Sequence, residues 1–101
     1  MKTYEELMIN WHQKYPHLRP PTRYAIEAIN RYAEHGLMPG SFITSVLASD
    51  LKNAVYNADN ENINTLPALI AYLRWNVPAI CWGSYDKIDS YRDRMEAMGE
   101  L

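Results

Sequence analysis

The residues with metal-binding or nucleophilic chemistry are few and scattered along this chain. The histidines are His12, His17 and His35, and the one cysteine is Cys81. No two histidines stand three or four residues apart, the spacing that places two ligands on one face of a helix. Cys81 lies between two large apolar residues, where a lone cysteine is typically a buried hydrophobe and not a nucleophile. We therefore predict no metal site and no catalytic cysteine.

Other catalytic signatures are missing from the sequence as well. It contains no Gly-x-Ser-x-Gly elbow, no phosphate-binding glycine loop and no dinucleotide fingerprint. Asp86, Asp89 and Asp93 recur at helical spacing, but basic residues alternate with them. That mixture favours a solvated helix face with ion pairs over a carboxylate metal site. We predict that the protein is not an enzyme and uses no cofactor.

Length and composition indicate a single soluble domain over residues 1–101. The chain is 48% hydrophobic and 22% charged, which is ordinary for a globular domain with one core. Its net charge of −2 is far from the basic excess typical of non-specific nucleic-acid binders. With one cysteine and no long apolar run, we expect a cytoplasmic protein with no membrane segment.

The spacing of apolar residues predicts an all-α fold, a compact bundle of five or six short helices. Thr3 and Glu6 have the spacing of a capping box, so an N-terminal amphipathic helix is expected over 1–15. A proline-rich linker follows at 16–21, and the helical body covers 22–98. No segment shows the sustained alternation that a strand requires.

Capping residues mark the expected helix boundaries in the body. Gly36 should end one helix, and both Gly36 and Gly40 should adopt backbone angles that a side chain would disfavour. Ser41 and Ser84 are placed to cap helices. Asp50 either caps a further segment over 51–58 or continues the preceding helix, and we favour a bend at Ser49-Asp50.

A proline interrupts the most apolar helical pattern. Pro67 either bends this helix or makes it begin late, near Asn64 or Thr65, and both cases stay open. Trp75 and Ile80 are expected to pack inward. The rest of the predicted core consists of apolar residues that share helical spacing: Ile26, Ile29, Phe42, Val46, Leu47, Val55, Leu69, Ile70, Leu73, Trp82 and Ile88.

The aromatic content indicates a binding surface. The chain has three tryptophans, eight tyrosines and five methionines, residue types that are enriched at protein interfaces. The first helix either packs back on its own domain or lies in a partner's groove, and the residues leave both open. In the second case Trp11 is the anchor. The predicted protein interface is Tyr4, Leu7, Trp11, Tyr15, Arg19 and Arg23.

The segment 14–31 supports an alternative function. Its basic and aromatic residues are Lys14, Tyr15, Arg19, Arg23, Tyr24 and Arg31, with Tyr32 next to it and only Glu27 opposing. Such a segment can follow phosphates and stack a base. The alternative prediction is therefore a nucleic-acid-binding accessory protein.

Three runs of the chain carry a resemblance to a known family. They are Arg31-Tyr32-Ala33-Glu34-His35-Gly36-Leu37-Met38-Pro39-Gly40-Ser41-Phe42, Val46-Leu47-Ala48-Ser49-Asp50-Leu51 and Ala79-Ile80-Cys81-Trp82-Gly83-Ser84. With these runs the chain resembles a family of small, uncharacterised helical proteins found in bacteriophage and prophage genomes. The resemblance implies a phage-encoded protein that binds a host or phage protein, in host takeover or anti-defence. Self-association is the further expectation that the aromatic surface itself supports. It implies no catalytic residue and no cofactor.

Overall fold

The computed structural model describes residues 1–99, and its regular elements there are all helical. They are α1 (Tyr4–Ile9), α2 (Trp11–Lys14), α3 (Arg23–His35), α4 (Ser41–Leu47), α5 (Leu51–Asn57), α6 (Asn60–Asn76) and α7 (Tyr85–Ala97), with a 3₁₀ turn at Ala79–Cys81. The all-α prediction is confirmed. There is one α-helix more than the upper end of the prediction, because the N-terminal helix is divided at Asn10.

Side chains cap five of the seven α-helices in residues 1–99. Thr3 and Glu6 form the predicted capping box at the start of α1. Thr22, Asp50 and Ser84 each accept a hydrogen bond from the backbone N–H three residues further on. These contacts satisfy amides that have no partner within the helix, and so they fix where α3, α5 and α7 begin.

The connections on either side of α4 confirm some predictions and correct others. Gly36 follows α3 with a φ of 73°, the left-handed conformation that favours glycine. Gly40 has a φ of −66°, which any residue adopts, so its predicted special conformation is wrong. Gly40 is itself the N-cap of α4, and Ser41 is the first helical residue instead of the cap. The predicted bend before Asp50 is confirmed, and Ser49 takes a φ of 57° there.

α6 continues through Pro67 without interruption. It begins at Asn60, because the Asp59 carboxylate accepts a hydrogen bond from the backbone N–H of Asn62 at 2.7 Å. The late start near Asn64 or Thr65 is therefore excluded. Pro67 is exposed, and its missing N–H removes one hydrogen bond from the middle of the helix.

The core is formed mainly by α3, α4 and α6, and the N-terminal helices and α7 add to it. Most of the predicted core residues are buried: Ile26, Ile29, Phe42, Val46, Leu47, Leu69, Leu73 and Ile88. Trp82 is partly buried against them. Val55, Ile70, Trp75 and Ile80 are exposed, so their assignment to the core is wrong.

Tyrosine hydroxyls connect distant parts of this core. Tyr32 donates to the backbone carbonyl of Cys81 at 2.7 Å. Tyr72 donates to the Asn30 side-chain oxygen at 2.5 Å, and burial raises the pKa of Tyr72 to about 12. Both rings are almost fully buried. These aromatic residues therefore stabilise the domain and are not available to a partner.

Candidate functional site

The centre of the predicted N-terminal interface lies in the core. Leu7 is buried, and the side chain of Trp11 is only 1% exposed. The Trp11 indole N–H donates to the backbone carbonyl of Leu18, at 3.0 Å, so the proline-rich linker is folded over the ring. The structure thus has the first of the two arrangements that the sequence leaves open: α1 and α2 bury their apolar face on their own domain, with Trp11 in the core.

Three of the other residues of that predicted interface, Tyr4, Arg19 and Arg23, line one open pocket on the surface, whereas Tyr15 does not. Tyr15 is half-buried, with its ring centroid 4.6 Å from that of Trp11. The guanidinium carbon of Arg23 lies 4.7 Å from the ring centroid of Tyr4. Arg19 is exposed on the linker. The Arg23–Tyr4 contact joins α3 to α1, and the Trp11–Tyr15 contact lies within the N-terminal segment.

The basic segment 14–31 is accompanied by carboxylates in the folded chain. Arg23 forms an ion pair with Glu5 of α1 and lies 3.9 Å from Glu27 of its own helix. The Glu5 contact is created by the fold and is not visible in the segment itself. At Arg23 these carboxylates oppose the binding of a phosphate.

An apolar groove between α5 and α6 is the most distinctive surface feature of the described residues. It has a volume of about 190 Å³. Leu51 and Ala54 of α5 line it, together with Leu66 and Ile70 of α6 and the ring of Trp82. Nearly all of its surface is therefore hydrocarbon or aromatic.

The groove is open because α5 packs closely on α4 and has few contacts with α6. α5 has one buried residue, Ala54. Leu51 is 69% exposed and Val55 is 48% exposed, and these two residues stand one helical turn apart. Ile70 of α6 is 40% exposed. Apolar side chains therefore stand exposed on both helices that border the gap.

The one charged residue that lines the groove is Asp50. Its carboxylate caps α5 and also accepts a hydrogen bond from the Tyr85 hydroxyl at 2.6 Å. The hydroxyl of Tyr85 and the amide groups of Asn53 hold the pKa of Asp50 below its usual value. The groove therefore has a fixed negative charge among its apolar lining residues at neutral pH.

Residues 1–99 contain no cluster of three or more potential metal ligands among their His, Cys, Asp and Glu side chains. Cys81 is buried, and burial raises the pKa of its thiol. Within the same residues no helix has both the length and the apolar character needed to cross a bilayer.

Comparisons with protein-family models, with curated proteins and with solved structures find no match to this chain. The function must therefore be inferred from the groove and its chemistry.

Sequence reasoning missed the groove because its apolar residues have the same pattern as core residues. Leu51 and Val55, like Leu66 and Ile70, recur at the four-residue spacing typical of a buried helix face. One signal was present: α5 offers only Leu51, Ala54, Val55 and Tyr56 as apolar residues, and polar residues flank them closely. A helix with so narrow an apolar stripe can pack on only one neighbour.

Proposed function

We propose that the chain is a small, non-enzymatic protein-binding module that docks a partner in the groove between α5 and α6. The observation that carries this proposal is the exposure of Leu51 and Ile70 in a groove whose lining is largely apolar. Scattered exposed apolar residues are normal on a small protein, but a contiguous apolar surface typically marks an interaction site.

The dimensions of the groove favour a protein partner over a small molecule. Small-molecule sites are enclosed pockets of about 300–1,000 Å³ with several convergent polar groups. This groove is smaller, at about 190 Å³, and Asp50 supplies its only charge. A protein surface needs only to insert a few side chains into such a groove, while its remaining contacts lie on the rim.

The resemblance to phage and prophage proteins supports the second part of the proposal. We propose that the chain is phage-encoded and acts in the host cytoplasm on a host or phage protein, in host takeover or in countering a defence. The proposed docking surface does not depend on a phage origin. The carboxylates of Glu5 and Glu27 beside Arg23 weigh against the nucleic-acid alternative.

Affinity capture with matched variants tests the proposal. The full chain and two variants, Ile70→Glu in the groove and Ile9→Glu on α1, are used as baits in host cells with and without phage growth. Ile9 is 76% exposed and does not line the groove, so it receives the same substitution at a distant surface. Circular dichroism establishes that both variants fold.

We expect a protein that the parent chain and Ile9→Glu retain and that Ile70→Glu loses. The reason is that a carboxylate placed in an apolar interface must be desolvated without a partner. Capture of the same proteins by all three baits, or of none by the parent, would contradict a docking role for the groove.

A further inference from the structure

We infer that the segment docked in this groove is an amphipathic α-helix that carries a lysine or arginine beside Asp50. This inference rests on the proposed function and names the chemistry of the partner. It follows from three features of the groove: the backbone of its two helices, the spacing of its apolar residues and the placement of its single charge.

The backbone bordering the groove favours a helical occupant. Apart from the hydrogen bond lost at Pro67, α5 and α6 use their central N–H and C=O groups within their own helices, and residues 1–99 contain no strand edge. An extended segment docked here would lose water from its backbone groups without gaining hydrogen-bond partners. A helix satisfies its own backbone, so it can enter an apolar groove with side chains alone.

The spacing of the apolar residues sets the size of the occupant. Leu66 and Ile70 of α6 line the groove, and Ile63, three residues before Leu66, stands exposed on the same face of that helix just outside the lining. Seven residues of helix span about 10 Å, or two turns. A partner helix that follows this distance presents two or three apolar side chains, at the same helical spacing.

The charge of the groove selects the polar residue of the occupant. Asp50 is ionised at neutral pH, and its carboxylate is held in place by hydrogen bonds from Tyr85 and Asn53. Lys52, two residues after Asp50, does not line the groove. A cation docked beside Asp50 is attracted by a charge that is already in position, whereas a second carboxylate there is repelled.

A series of designed peptides tests this inference on the full chain. Each peptide is helix-forming, about four turns long, with leucines at i, i+4 and i+7 and one flanking position that is Arg, Gln or Glu. There are two series of three peptides. In the first series the flanking residue precedes the leucines, and in the second it follows them. The Arg peptide of each series is also made with a central proline, as the non-helical control. Dissociation constants are measured by fluorescence anisotropy.

We expect the Arg peptide of one series to bind at least about tenfold more tightly than its Glu counterpart. Ile70→Glu should weaken its binding about tenfold or more, and Ile9→Glu should not. Asp50→Asn should abolish the preference for Arg over Glu, because it removes the charge while asparagine still caps the helix as well as aspartate does.

Three results would overturn the inference: no binding by any helical peptide, equal binding of the proline version, or a preference for Arg that survives in Asp50→Asn.

Sedimentation of the peptide-free protein tests the other possible occupant. A parent dimer that Ile70→Glu separates and Ile9→Glu does not would show that a second copy covers the groove, which also overturns the inference. A captured partner lost in Ile70→Glu, without peptide binding, would refute the helical mode and leave the proposed function standing.

Discussion

Trp11 holds the N-terminal segment on the body of the domain through two kinds of contact. Its ring is buried and packs against Tyr15, and its indole N–H donates to the backbone carbonyl of Leu18. One side chain thus connects α2 to the linker that follows it. The proline-rich segment consequently packs on the domain and does not act as a free tether.

Trp11→Ala should lower the free energy of unfolding by about 3–5 kcal/mol, because it leaves a large cavity and an unpaired carbonyl. The matched control is Tyr56→Ala on the strongly exposed face of α5. This variant should change the free energy of unfolding by no more than about 0.5 kcal/mol. Urea denaturation measures both. If the two variants were equally stable, Trp11 would have no structural role.

The two glycines around Leu37–Pro39 should respond differently to a side chain. Gly36→Val places a branched residue in the left-handed conformation and should destabilise the domain by about 2 kcal/mol. Gly40→Ala should change stability by no more than about 0.5 kcal/mol. Its φ is ordinary, and a methyl group there would lie 3.7 Å from the Tyr24 hydroxyl. Thermal melts of both variants distinguish the two sites, and similar losses would refute this assignment.

At the scale of elements, α6 has a proline in its interior and is still continuous from Asn60 to Asn76. Its N-terminal half is therefore stabilised by the Asp59 cap and by burial of Thr65, Ala68 and Leu69. Packing outweighs the lost backbone hydrogen bond, as it often does in proteins.

Pro67→Ala should raise the free energy of unfolding by about 1–3 kcal/mol, because alanine restores the N–H and removes the steric clash with the preceding turn. Pro16→Ala is the matched control. Pro16 is also exposed but lies outside the helices, so its loss should lower stability by about 0.5 kcal/mol through a less restricted unfolded chain. Guanidinium denaturation gives both values. A destabilised Pro67→Ala variant would mean that the proline is required by the fold.

The helix boundaries were largely predictable because they depend on contacts within three or four residues. Thr3, Thr22, Asp50 and Ser84 cap their helices through such local hydrogen bonds. The exposure of Val55 was not predictable, because it depends on which side of α5 meets α4. Periodicity shows that a helix has an apolar face, and the tertiary fold decides what covers that face.

At the scale of the whole molecule, the N-terminal helices contribute to the core, whereas α5 and α6 leave apolar side chains exposed. The sequence suggests the opposite distribution. Trp11 was expected at an interface and lies in the core, whereas Ile70 was expected in the core and borders the groove. Each pattern places apolar residues at helical spacing, and that spacing alone does not say what will cover them. The central claim that follows is that the domain folds with its α5–α6 groove uncovered and uses it to bind another protein.

Site-specific photo-crosslinking tests that claim most directly. A photoreactive amino acid is placed at Leu51, which lines the groove, or at Tyr56, which lies on the opposite side of α5 from Ala54. Both positions are strongly exposed, so neither substitution should disturb folding. We expect irradiation of host cells to join a second protein to the chain from position 51 and not from position 56. Equal crosslinking from both positions, or none from position 51, would contradict the claim.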